Sequence, residues 1–214
     1  PAASAALRRR PVAAATGGAV AAVWALKDAP ACWAAASVAG GSLGTPIVVK
    51  AIKSWYKSDL VKPSWNPPDR VFAPTWTVLY ASLGVSAWRV ARTAGASSTA
   101  LQLALAHYAM NLCWAPVFFG MKGLRAALAL NVLLLTSLFP ILLKFHAVDP
   151  VAAYLVVPYT LWISFATALN FACVQTSAAR GLTLPGRPRR PSAVGGPTLS
   201  PGTPAPQDLQ AQSG

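Results

Sequence analysis

Five long apolar stretches, covering about 31–49, 71–90, 100–120, 126–143 and 151–174, follow one another along the chain with polar connectors between them. An α-helix needs ~20 mostly apolar residues to cross a bilayer core. A helix also satisfies its own backbone hydrogen bonds there, which an isolated strand does not. The pattern therefore predicts an all-α membrane protein, a bundle of five transmembrane helices over 31–177. The first stretch is rich in small residues (Gly40, Gly41, Ser42, Gly44), which let helix backbones approach closely in lipid. In the third, His107, Asn111, Trp114 and Phe118 share one helical stripe, and in the fifth Trp162, Phe165, Ala166, Leu169 and Cys173 do the same.

The ends have a different character. Residues 1–30 are Ala-rich, with Arg8, Arg9 and Arg10 and no acid before Asp28, the character of a targeting segment. Its apolar part, 12–26, is short for a span. Residues 178–214 are basic and rich in Pro, Gly and Ser, and are expected to be disordered because they offer too little apolar surface to bury.

Composition supports the lipid reading. Of 214 residues, 55% are hydrophobic and 11% charged, against about 25% charged in a soluble domain. The net charge of +13 does not indicate a nucleic-acid partner, because the basic residues fall between apolar runs and in the tails rather than along one helix face. Lys and Arg beside anionic headgroups account for them. The first connector, third connector and C-terminal tail collect eleven basic residues, and the opposite side seven. The positive-inside rule then places the C-terminus in the cytosol. Cys32, Cys113 and Cys173 are far apart and lie in apolar runs, with no metal-ligand spacing.

The connector before the second stretch is pinned by Pro63, Pro67 and Pro68, through which no helix continues. It carries Trp65, and Trp76 follows within the second stretch; both suit either an interfacial aromatic belt or a site. Asn111 in mid-membrane needs a partner and reads either as interhelical glue or as a polar contact in a cavity. His107 is open between haem-iron ligation and a bond across helices, and is the sole, weak metal candidate. Aromatics aimed from several helices at one void would suit a flat apolar ligand. No GxSxG, Walker or GxGxxG motif occurs, nor an intramembrane carboxylate pair for acid–base work. No catalytic residue is assigned.

Three blocks resemble the translocator protein family, also called tryptophan-rich sensory proteins or peripheral-type benzodiazepine receptors. The first is Trp55-Tyr56, then Pro63-Ser64-Trp65-Asn66-Pro67-Pro68 and Phe72-Ala73-Pro74-Thr75-Trp76-Thr77-Val78-Leu79-Tyr80. The second is Asn111-Leu112-Cys113-Trp114-Ala115-Pro116-Val117-Phe118-Phe119-Gly120, and the third Pro158-Tyr159, Trp162 and Phe165-Ala166-Thr167-Ala168-Leu169-Asn170. The resemblance covers roughly 38–177 and looks most like a plant or algal member. It implies a five-helix bundle, often a homodimer, that binds haem or protoporphyrin as ligand, with no cofactor required. By motif, the cavity would use Phe72, Trp76, Asn111, Trp114, Trp162, Phe165, Ala166 and Leu169. The loop of Trp65, Asn66, Pro67 and Pro68 would form its lid.

This chain also departs from the family pattern. Early in the fourth helix the family often has Trp, and here the stretch is Leu124-Arg125-Ala126-Ala127. The family's acid in that helix is replaced, with Asn131 nearest. Animal members end the fifth helix with Tyr closely followed by Arg, a proposed sterol motif; here 171–180 contains no Tyr. The expected function is a membrane receptor or carrier for tetrapyrroles, with a role in tetrapyrrole or stress homeostasis. The alternatives are a light-dependent porphyrin-degrading enzyme and a sterol or lipid transporter or scaffold. The expected membrane is the mitochondrial outer membrane, the plastid or the endoplasmic reticulum.

Overall fold

The structure, a computed structural model, describes residues 29–179. The expectations for a targeting segment and a disordered tail fall on 1–28 and 180–214, outside the described residues. Five helical rods follow in order: α1 (Pro30–Tyr56), α2 (Phe72–Ala94), α3 (Thr99–Gly120), α4 (Leu124–Val148) and α5 (Pro150–Ala179). Among the described residues there is no strand. Four rods are long and apolar enough to cross a membrane, and α2, 23 residues long, carries Arg89 and Arg92 near its end.

The rods alternate in direction and close a ring in the order α1, α2, α5, α4, α3. Each joint has an identifiable cause. Gly84 of α2 lets the Trp33 and Ala34 backbone of α1 come into contact. Ser82 and Ser86 of α2 donate to the Leu155 and Ala152 carbonyls of α5, both at 2.6 Å. His107 of α3 bonds Ser137 of α4, and Trp55 of α1 donates its indole N–H to the Phe119 carbonyl of α3 at 3.2 Å. Small and polar residues at helix joints are what lipid solvent favours, since apolar burial gives helices little reason to associate there. Leu43, Val78, Leu105, Leu133, Phe139, Leu161 and Phe171 are correspondingly exposed on the outside.

Helix ends follow local chemistry. Pro30 begins α1, where its missing N–H costs nothing. Gly95 ends α2 with φ +86°, a conformation open to glycine. Ser98 caps α3. Asp149 separates α4 from α5 and caps the latter, its Oδ1 accepting from Val151 N–H at 2.9 Å. It also pairs with Arg89 of α2 at 2.7 Å.

Two rods depart locally from regular α-helix. α1 tightens into a 3₁₀ turn at Ser42–Gly44 and widens into a π turn at Ile52–Tyr56. α3 widens at Pro116–Gly120, where Pro116 offers no N–H to the preceding turn and Met121 N–H reaches back to the Pro116 carbonyl at 3.0 Å. Such π turns recur at functional sites.

The apolar runs form helices, and α2, α4 and α5 extend about four or five residues past the expected ends to Ala94, Val148 and Ala179. The first stretch was expected to end near 49, yet α1 continues to Tyr56. Lys50 and Lys53 made that segment read as connector, but both are exposed while Ala51, Trp55 and Tyr56 are buried. The helix carries the lysines on its outer face and anchors itself with the aromatics.

Candidate functional site

Two apolar clusters fill the two ends of the bundle. One holds Leu101, Leu134, Leu138, Phe145, Val156 and Tyr159. The other holds Trp55, Tyr56, Phe118, Leu124, Ala127 and Cys173. Between them lies a cavity of about 530 Å³ lined from all five helices and the α1–α2 loop, a size that suits a drug-sized ligand.

Trp76 supplies one wall. Pro74 falls in the first turn of α2, where a missing N–H is tolerated, and Trp76 after it stacks on Tyr80 (5.2 Å, 27°) and meets Trp162 edge-on (6.4 Å, 87°). Trp114 supplies the opposite wall, stacked on Phe118 at 4.8 Å and 18°. Asn111, one turn earlier, is buried and accepts from the Tyr80 hydroxyl at 2.8 Å. From α5 come Trp162, Ala166 and Leu169, one face of one helix. From α4 the only lining residue among those described is Asn131. Leu124 and Ala127, where the family pattern has an aromatic, are buried in the second apolar cluster and do not reach the cavity.

Eight expected site residues meet at this one cavity: Asn66, Phe72, Trp76, Asn111, Trp114, Trp162, Ala166 and Leu169. Four expected residues do not reach it. Phe165 stands behind Trp162 (5.3 Å), and Trp65, 49% exposed, packs edge-on against Phe165 at 6.0 Å. Pro67 and Pro68 shape the loop that holds Asn66 and Asp69 at the cavity's edge. Phe165 and the loop residue Trp65 thus pack outside the cavity walls. The loop is tied down at both ends: Thr176 of α5 donates to the Val61 carbonyl at 2.8 Å, and Lys57 pairs with Asp69 at 3.7 Å.

His107 makes bonds across helices in this structure. It is 5% exposed and outside the cavity lining. Ser137 gives its proton to the Leu134 carbonyl (2.8 Å) and so accepts from His107 Nδ1–H at 2.7 Å. Nε2 then accepts from the Tyr159 hydroxyl at 2.8 Å. Both ring nitrogens are thus engaged, in bonds that join α3 to α4 and α5. Among the described residues no group of His, Cys, Asp or Glu is placed to hold a metal.

Several lining residues were not anticipated. Tyr80 closes the Trp76 stack although it only ended a motif block in sequence. Ile47 and Val48 of α1 line the side nearest α3. Asn131 figured only as a departure from the family pattern, yet its amide nitrogen is buried without a hydrogen-bond partner. Asn170 also lines the cavity but is spent on structure: in the orientation that satisfies both ends of its amide, it donates to the Leu124 carbonyl (3.1 Å) and accepts from Leu128 N–H (2.9 Å).

Comparison with known proteins agrees with this architecture. The profile of the TspO/MBR family matches residues 31–175. The tryptophan-rich protein TspO of Chlorobaculum tepidum is 42% identical over 130 residues, 57% of this chain and 79% of that protein. A tryptophan-rich sensory protein of Cereibacter sphaeroides is 39% identical over 135 residues, 62% and 84% of the two chains. The translocator protein of Bos taurus is 33% identical over 145 residues, 66% and 85% of the two chains.

Proposed function

The chain belongs to the TspO/MBR family of integral membrane proteins, and from that membership we propose that it is a membrane receptor or carrier binding tetrapyrroles in its intramembrane cavity. The observation that carries the reading is the meeting of Trp76, Trp114 and Trp162 from three helices around one cavity of about 530 Å³. Indole faces and edges are suited to a flat aromatic ring, with which they stack or pack edge-on. The remaining wall is aliphatic, from Ile47, Val48, Ala166 and Leu169, so most of such a ligand would leave water for an apolar surface. Names of the relatives speak of sensing and translocation, which fits a protein that binds a ligand within the bilayer.

The test is quenching of Trp fluorescence by protoporphyrin in detergent. Replacing Trp114 and Trp162 together by Leu removes two aromatic contacts worth about 0.5–1.5 kcal/mol each. The dissociation constant should rise roughly tenfold to a hundredfold. Unchanged affinity in the double variant, with the fold intact by circular dichroism, contradicts the reading.

A further inference from the structure

Tyr159 and His107 are both buried, and neither lines the cavity. They lie directly behind its wall. The Tyr159 ring meets Trp76 edge-on, with 6.4 Å between centroids. The Tyr159 hydroxyl donates to His107 Nε2 at 2.8 Å. From the cavity inward the order is therefore indole, phenol, imidazole.

The neighbouring phenols are placed differently. Tyr80 stacks on Trp76 at 5.2 Å, but its hydroxyl donates to the Asn111 amide oxygen. Tyr108, edge-on to Tyr80, donates to the Ser37 carbonyl. An amide oxygen accepts a hydrogen bond but is too weak a base to take the proton. A neutral imidazole takes one readily. The tautomer of His107 is set by Ser137, which accepts from Nδ1–H and so leaves the Nε2 lone pair facing the Tyr159 O–H. This difference matters for one-electron chemistry. A phenol that loses an electron becomes a strong acid, and it loses the electron far more easily when a base takes the proton in the same step. Tyr159 has such a base in place.

We propose that Tyr159 and His107 form a redox-active pair that refills an electron vacancy made on Trp76 by a one-electron oxidant in the cavity, such as a photo-excited porphyrin. The inference rests on the reading of this cavity as the ligand site and adds a chemical role for the residues behind its wall. Trp76 gives one electron to the excited porphyrin, which is reduced by it. Tyr159 then gives one electron to Trp76 and its phenolic proton to His107 Nε2. Trp76 is restored, Tyr159 becomes a neutral phenoxyl, and His107 becomes an imidazolium with N–H on both nitrogens. One O–H bond breaks and one N–H bond forms. A charge buried in the membrane is costly, but this step moves the positive charge from indole to imidazole without adding to it. The imidazolium keeps an acceptor at each end, Ser137 Oγ and the Tyr159 oxygen. When the reduced porphyrin returns its electron to Tyr159, the proton goes back and the cavity wall is unaltered.

The test begins without ligand, on the purified full chain in detergent. A flash at the red edge of indole absorption, beyond that of phenol, ejects electrons from indoles alone. Transient absorption and freeze-trapped electron paramagnetic resonance then follow the radicals. The indole signal should convert into a phenoxyl signal, and more slowly in heavy water, because the proton moves with the electron. Tyr159→Phe, His107→Gln and Trp76→Phe should each lose most of that phenoxyl, whereas Tyr80→Phe should keep it. His107→Gln retains the tyrosine and an acceptor and removes only the base, and circular dichroism checks its fold. A phenoxyl yield undiminished in Tyr159→Phe or in His107→Gln, or an equal rate in heavy water, overturns the inference. A second arm adds protoporphyrin and excites it with visible light, which indoles do not absorb; the same phenoxyl should appear. If protoporphyrin does not bind while the ligand-free result holds, the inference stands for another oxidant and the tetrapyrrole reading falls. If protoporphyrin binds and neither flash gives a phenoxyl at Tyr159, the inference falls and the tetrapyrrole reading stands.

Discussion

The α1–α2 joint allows a quantitative test of how this bundle is held together. A methyl group added at Gly84 would lie 2.7 Å from the Ala34 Cα and from the Trp33 carbonyl carbon, with the Trp33 oxygen nearer still. Carbon atoms pack at about 3.5–4.0 Å, so the shortfall is about 1 Å, and the obstacle is helix backbone rather than a side chain that can turn away. Gly84→Ala therefore requires α1 to move outward along its contact with α2. Overpacking of this kind costs about 1–3 kcal/mol. At roughly 2–4 °C per kcal/mol for a chain of this size, the melting temperature in detergent should fall by roughly 2–12 °C. Ligand affinity should fall with it, since Val38, Ile47 and Val48 of α1 line the cavity. Gly120→Ala is the matched control, because its methyl would meet Ile47 Cγ2 at an ordinary 3.5 Å. The reasoning is refuted if the two variants melt alike, or if Gly84→Ala melts and binds as the unaltered protein does.

Other consequences follow from the same geometry. Tyr159→Phe removes the hydroxyl bonded to His107 Nε2 and should destabilise the bundle by about 0.6 kcal/mol and at most about 1.7, the average and maximum for side-chain hydrogen bonds between membrane helices, read as a lower melting temperature in detergent. The Arg89 guanidinium beside Asp149 holds its carboxyl below the usual carboxylate range. A depressed folded-state value stabilises the protein above the unfolded value of ~3.9, and that contribution is lost as pH falls through the folded one. The melting difference between the unaltered protein and Arg89→Gln should thus be largest near neutral pH and shrink below pH ~4; a difference that grows with acid would contradict the assignment. Ala166→Trp places a bulky ring on the cavity wall and should abolish porphyrin quenching while leaving the helical circular dichroism signal unchanged.

Much of the fold could be read from the apolar runs because a spanning helix announces itself by length and composition. The same property hid the role of α1. Its upper part is apolar on every side, so no stripe distinguishes the face toward the cavity from the face toward lipid. Only close approaches give it away, as where a methyl at Gly41 would overlap the Tyr80 ring. The π turn at Ile52–Tyr56 was illegible for another reason, since Lys53 inside it mimics a connector. In the site, Trp114 and Trp162 were legible as large aromatics on polar-marked or motif-bearing stripes. Phe165 shares the Trp162 stripe but lies one position too far around α5 to reach the void, which spacing does not resolve. Asn131 had no motif to recommend it, and its place in the cavity lining is visible only once the helices are placed.

The account stands on a ligand ring lying between Trp76, Trp114 and Trp162, inside the bundle. Determining the structure of the full chain with protoporphyrin bound examines this directly. Density for the ring within the cavity, in contact with indoles from α2, α3 and α5, is the predicted result. A ring seated on the lipid-facing surface, with the interior volume empty or closed by the side chains around it, would contradict the account.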